Sequence, residues 1–120
     1  MFTIAQSHDI DLSFENCLND NTSTNGQRKC INDAEMAWDH LLDKYYKLLL
    51  HQLPEKPKIQ LKNSQIQWLK FRDAEFKFIN EYYMNFKEGS IFLVIADHQK
   101  MEIIKNRALK MKAYYDALDD

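Results

Sequence analysis

The residues with the most capacity for chemistry are Cys17 and Cys30, the histidines His8, His40, His51 and His98, and a scatter of acids spaced three or four apart. Nucleophilic catalysis would need a serine or cysteine beside a histidine that a third group orients. Ser7, Ser13, Ser23, Ser64 and Ser90 lie in loop or cap contexts, with no nucleophile elbow and no glycine-rich oxyanion turn around them. Phosphate-cradling loops need clustered glycines, whereas Gly26 and Gly89 stand alone. Asp39, His40, Asp43 and His51 come nearest to a metal set, since residues four apart share a helix face, but solvated helices carry charge on most turns and these are read that way. No catalytic residue, cofactor or metal is expected, and the chain is read as one that binds rather than catalyses.

Two cysteines thirteen positions apart admit three readings: a disulfide, half of a metal site, or two unrelated thiols. No further cysteine exists to complete a zinc cluster, and the histidines lack the close spacing that would pair them with Cys17 or Cys30. A disulfide is the preferred reading. Closing a loop of this length stabilises a fold by about 3 kcal/mol on chain-entropy grounds. Its persistence implies an oxidising compartment, hence a periplasmic or secreted protein whose signal peptide has been removed.

The elements that must carry these residues follow from composition and period. With 120 residues, 45% hydrophobic and 12% aromatic, the chain fills one core, and residues 1–120 are expected to form a single domain in which 1–8 are a disordered or tag-adjacent N-terminus. Two glycines and two prolines leave little material for hairpin turns, which favours long helices. Ile10, Phe14, Cys17 and Leu18 recur at helical spacing behind Asp9 and Asp11, predicting a short N-terminal helix. The run from Asp20 to Gly26 is dense in Asn, Thr and Ser and reads as a loop. Ile31, Ala34, Trp38, Leu41, Tyr45 and Leu48 then mark one long amphipathic helix from about Gln27 to Leu53, ended by Pro54 and Pro57. A second stripe, Leu61, Gln65, Trp68, Arg72, Phe76, Ile79, Tyr83 and Phe86, spans roughly Lys58 to Lys87. Gly89 and Ser90 are expected to supply a helix stop and a new N-cap. The third stripe, Met101, Ile104, Ala108, Met111, Tyr115 and Leu118, completes an all-α antiparallel bundle of three long helices plus the N-terminal piece.

Charge narrows the partners. Residues 1–27 hold Asp9, Asp11, Glu15 and Asp20 with no lysine or arginine, so they carry −4 and leave +2 for the rest of a chain of net charge −2. The sixteen Lys and Arg are scattered among eighteen acids and form no basic stripe, which argues against nucleic acid. No apolar run approaches a membrane span, the longest being Ile91 to Ala96. The oligomeric state is not legible.

Gln65 and Arg72 interrupt an apolar stripe, and buried polar groups need partners. Asp73 stands beside them, and Asp43 on the preceding helix is the expected counterpart in an interhelical network. Around the end of the second long helix, Phe76, Phe78, Tyr82, Tyr83 and Phe86 point to nearly every side, with Phe92 just beyond. Either the N-terminal helix covers the surplus, which is the expectation, or an aromatic patch stays open to a partner.

With these motifs in view, the chain from Cys17 to about Leu118 resembles the LprI-type family, small exported bacterial proteins named after a lysozyme inhibitor. The likeness rests on Cys17 and Cys30, then Asp39, Leu42, Asp43 and Tyr46 where that family has Asp-x-x-Leu-Asn-x-x-Tyr. Its strongest piece is Gln65-x-x-Trp68-x-x-Phe71-Arg72-Asp73-Ala74-Glu75, followed by Gly89-Ser90 and Arg107. The family's second cysteine pair would fall at Phe76 and near Gln99. Both are missing together, which implies that the two positions are neighbours across the second and third long helices and that Cys17 and Cys30 pair with each other. The resemblance implies a protein partner, with lysozyme as the named candidate. The surface expected to meet it is residues 9–26, with Asp9, Asp11, Glu15 and Asp20, together with the surface near Glu88 to Phe92. The competing readings are an immunity or adaptor protein for an unrelated secreted partner, and a self-associating envelope domain.

Overall fold

The computed structural model describes the backbone of residues 2–120 and the side chains of residues 9–120; the stretch 1–8, expected to be a disordered or tag-adjacent N-terminus, lies outside the described side chains. Four helices account for nearly all of it: α1 (Phe2–Asp20), α2 (Thr24–Gln52), α3 (Glu55–Ile79) and α4 (Ser90–Asp116). A π-helical segment, Asn80–Phe86, prolongs α3, and a short 3-10 turn, Ala117–Asp119, ends the chain. No strand occurs among the described residues.

The breaks between helices have local causes. The loop expected over Asp20–Gly26 shrinks to Asn21–Ser23, because Ser23 Oγ accepts from the Gly26 backbone N–H at 3.0 Å and starts α2 at Thr24, ahead of the expected Gln27. Asn21 Nδ2 donates to the Cys17 carbonyl at 2.8 Å and closes the end of α1. Between α2 and α3, Leu53 and Pro54 adopt extended backbone, and Pro57 falls in the first turn of α3, where a missing N–H costs nothing.

At the last break Ser90 does not cap α4 as expected: Gly89 holds the cap position, and Ser90 is the first helical residue. Gly89 has φ +125°, a conformation nearly closed to residues with a Cβ. A methyl group there would meet only Phe92 Cδ2 at 3.8 Å, so the cost of Gly89→Ala is conformational rather than steric. Its expected size is about 1–3 kcal/mol, read as a lower urea midpoint with an unchanged m-value.

The long helices run up, down and up. Arg28 meets Asp97, Lys105 lies over the Trp38 ring at 5.3 Å, and Tyr45 packs on Tyr115 at 5.6 Å, so α2 and α4 climb in parallel. Arg107 meets Gln65, and Lys100 lies over Phe76, so α3 descends between them in sequence and antiparallel in space. The last contact brings the Phe76 and Gln99 region together across α3 and α4. α1 lies antiparallel along α2 and α4, fixed by the Cys17–Cys30 disulfide (Cα–Cα 5.6 Å), by Lys105 Nζ donating to Asp11 at 3.0 Å, and by Phe14 against His98.

The core is unevenly shared. Ile31, Ala34, Trp38, Leu41, Leu42, Tyr45 and Leu49 of α2 interlock with Met101, Ile104, Ala108 and Met111 of α4, whereas α3 contributes only Leu61 to the same cluster. Alanines at 34, 96 and 108 allow the α2 and α4 backbones to approach closely. α3 meets this core mainly through the partly buried Trp68 and Phe76, and the whole is a slab of 49 × 30 × 17 Å. Its radius of gyration, 16.2 Å, exceeds the roughly 13.6 Å of a compact chain this long.

The surplus aromatics are not covered by α1, contrary to expectation. The disulfide and the Asp11–Lys105 pair fix α1 against α2 and α4, and Phe78 (59% exposed), Phe86 (74%) and Ile91 (62%) stay open.

Candidate functional site

Because α3 stands off from α2, a solvent-open groove of about 380 Å³ runs between them. The α2 wall presents Asp39, His40 and Asp43 above Leu42 and Tyr46; the α3 wall presents Ile66, Leu69 and Arg72 above Gln65 and Trp68. Seven residues singled out from the sequence, Asp39, Leu42, Asp43, Tyr46, Gln65, Trp68 and Arg72, therefore line one cleft. Their spacing explains why: 39, 42, 43 and 46 share a face of α2, and 65, 68, 69 and 72 share a face of α3.

Behind the groove, Trp68 is flanked by two guanidinium groups, Arg72 at 5.7 Å and Arg107 at 5.6 Å from its ring. Arg107 reaches from α4 to donate to Gln65 Oε1 at 3.0 Å and Ser64 Oγ at 3.1 Å. Neither acceptor is charged, and burial pushes the Arg107 pKa below its usual range. Arg72 donates to the adjacent Asp73 at 2.9 Å. Asp43 does not serve Gln65 or Arg72 as expected; it pairs with Lys47 one turn along α2, at 2.8 Å. The physical reason is reach: a four-residue neighbour on the same helix is always at hand, whereas Gln65 and Arg72 stand on the opposite wall of the groove. Replacing Arg107 by methionine keeps the stem but leaves Gln65 Oε1 without its donor. A loss of about 1–3 kcal/mol is expected in thermal or urea unfolding.

Glu35, which carries no signal in the sequence, sits half-buried on α2 within the field of Arg72 and Lys100. Burial raises its pKa, and Lys100 only partly offsets this. A carboxylate with a raised folded-state pKa opposes folding once pH passes its unfolded value. Glu35→Gln should therefore raise Tm at pH 7, by less than about 1 kcal/mol of stability given its exposure, and the gain should fade as pH falls below 4.

The residues expected to meet a partner are dispersed. Asp9, Glu15 and Asp20 are exposed along α1, while Asp11 is engaged by Lys105. Glu88 is exposed in the turn after the π-helical segment, and Phe92 lies half-buried beneath Lys87, whose Nζ is 5.6 Å from its ring. Since Arg28 faces Asp97, the loop after Asp20 and the turn at Glu88 share one end of the slab; Asp9 is about 16 Å further along α1. At that end Phe78, Tyr82 and Phe86 form a stacked ladder with ring separations of 5.7 and 5.9 Å. Among the described residues no three His, Cys, Asp or Glu are placed to hold a metal ion, and no helix is long and apolar enough to cross a membrane.

The fold has a solved counterpart. It superposes on the crystal structure of an uncharacterised protein from Burkholderia thailandensis with a TM-score of 0.85 and 25% sequence identity, over 92% of this chain and 55% of that one. This chain thus spans little more than half the length of that protein. No curated protein matches the sequence. The description of the matching family is "lysozyme inhibitor LprI", and its model covers residues 17–111, from the first half-cystine to the last core methionine of α4. With four-fifths of its length matched in this way, the chain belongs to the LprI lysozyme-inhibitor family.

Proposed function

We propose that this protein is an exported binding module that inhibits lysozyme or another cell-wall hydrolase by occupying it, with no chemistry of its own. The observation that carries the reading is the family match over residues 17–111, joined to a rigid helical slab that leaves a polar groove and an acidic helix open to solvent. Export is supported by the Cys17–Cys30 bond, which persists where thiols are not kept reduced. Asp9, Glu15 and Asp20 along α1 would steer a basic hydrolase through an attraction that fades as salt rises. The test is binding and inhibition of lysozyme by the oxidised protein at low and at physiological salt, with free thiol measured alongside. Salt-sensitive inhibition with no free thiol is the expected result; absence of binding at either salt concentration removes lysozyme as the partner.

A second reading, an adaptor, immunity or self-associating envelope protein, is favoured by the exposed Phe78–Tyr82–Phe86 ladder, since aromatic residues concentrate interface energy. Light scattering across a concentration series separates self-association from a monomer that waits for another partner.

A further inference from the structure

The groove between α2 and α3 carries a specific pattern of unsatisfied polar groups. Gln65 is 9% exposed, yet it lines the groove. An arginine offers donors only, so the bond from Arg107 Nε must fall on the amide oxygen of Gln65 and leave its NH₂ free. That nitrogen has no hydrogen-bond partner among the described residues, and it is not among the side-chain atoms sealed from solvent without one. Gln65 is one of the residues that line the groove. Across from it, Asp39 makes no ion pair or hydrogen bond among the described residues, and Asp43, one turn along, shares its charge only with the exposed Lys47. Trp68 and Leu69 supply apolar surface along the α3 wall.

We propose that this groove receives a lysine or arginine of the protein partner together with the main chain beside it, an inference that rests on the binding role proposed above. The cation would pair with Asp39 and Asp43, its methylene stem would lie on Trp68 and Leu69, and an adjoining backbone carbonyl would accept from the Gln65 NH₂. Each group answers one that makes no bond of its own across the cleft: the carboxylates of the α2 wall offer acceptors to a cation, the Gln65 amide offers a donor, and the two stand on opposite walls. Arg72, the cation among the lining residues, is already engaged by Asp73, so an acidic side chain is left with the repulsion of the α2 wall, and an apolar one leaves both polar groups unpaired.

Titration of the full-length, isotope-labelled protein with acetyl-Gly-Arg-Gly-amide, followed by NMR, tests this. The Trp68 indole and Gln65 side-chain amide should shift saturably, while the indole of Trp38, buried in the core, serves as the internal reference. Acetyl-Gly-Glu-Gly-amide should leave all three in place. Asp39→Asn/Asp43→Asn, two exposed changes that keep the Trp38 signal as a check of folding, should weaken the arginine peptide at least tenfold. No saturable shift, an equal response to the glutamate peptide, or full binding by the double variant overturns the proposal. Lysozyme binding measured on the same pair separates the two levels. Equal binding by parent and variant sinks the groove while keeping the inhibitor reading; a normal peptide response with no lysozyme binding keeps the groove and discards lysozyme.

Discussion

Trp38→Ala is expected to destabilise the protein by about 3–5 kcal/mol, a large part of the 5–15 kcal/mol that holds a domain of this kind together. Trp38 is 1% exposed at the centre of the α2–α4 interface, among the largest fully buried side chains of the core. The ring is also the surface on which Lys105 rests while it reaches Asp11. Losing it should therefore loosen α1 as well as the core. Urea unfolding followed by far-UV circular dichroism reads the first effect, and hydrogen exchange at α1 amides reads the second. A loss below about 1 kcal/mol would mean that the core is organised around some other residue.

Removing the disulfide, by Cys17→Ala/Cys30→Ala or by reduction, should cost about 3 kcal/mol. The effect differs in kind from that of Trp38. The bond joins the end of α1 to the start of α2 across a three-residue loop, and beyond it α1 is retained by the Asp11–Lys105 pair, by the Phe14–His98 contact and by its apolar face on α2. α1 should lose exchange protection first, with α2 and α4 still closed. Uniform loss of protection along all four helices would show instead that α1 is an inseparable part of the core.

Much of the fold was legible because its determinants are local. The stripes at 31–48, 61–86 and 101–118 have helical period, Pro54 and Pro57 end a helix wherever they fall, and two cysteines with no rivals have one partner each. The α1 helix extends well beyond the short element expected, since nothing in residues 2–8 signals a start. What was not legible is set by reach between distant residues. Gln65 plainly needed a partner, but whether Asp43 or Arg107 supplied it depended on how far α3 stands from α2, which no period reports. The π-helical segment over Asn80–Phe86 was invisible for a related reason: Asn-Glu-Tyr-Tyr-Met-Asn-Phe contains no glycine or proline, and only the stacking of its rings marks the wider turn. The groove combines both cases. Its residues stood out on each helix separately, and only the gap between α2 and α3 makes them one site.

The parallel pairing of α2 with α4 bears on how the chain reaches this state. Its main core joins segments separated by a whole intervening helix: Arg28 and Asp97 are 69 positions apart, and Asp11 and Lys105 are 94 apart. Three-helix proteins whose core forms between successive helices close short loops and fold in microseconds to milliseconds. Here α3 must be spanned, and the entropy of that long closure met, before the interface that stabilises most can form. This protein should fold slowly for an all-helical domain, with α3 settling onto a pair that assembled without it.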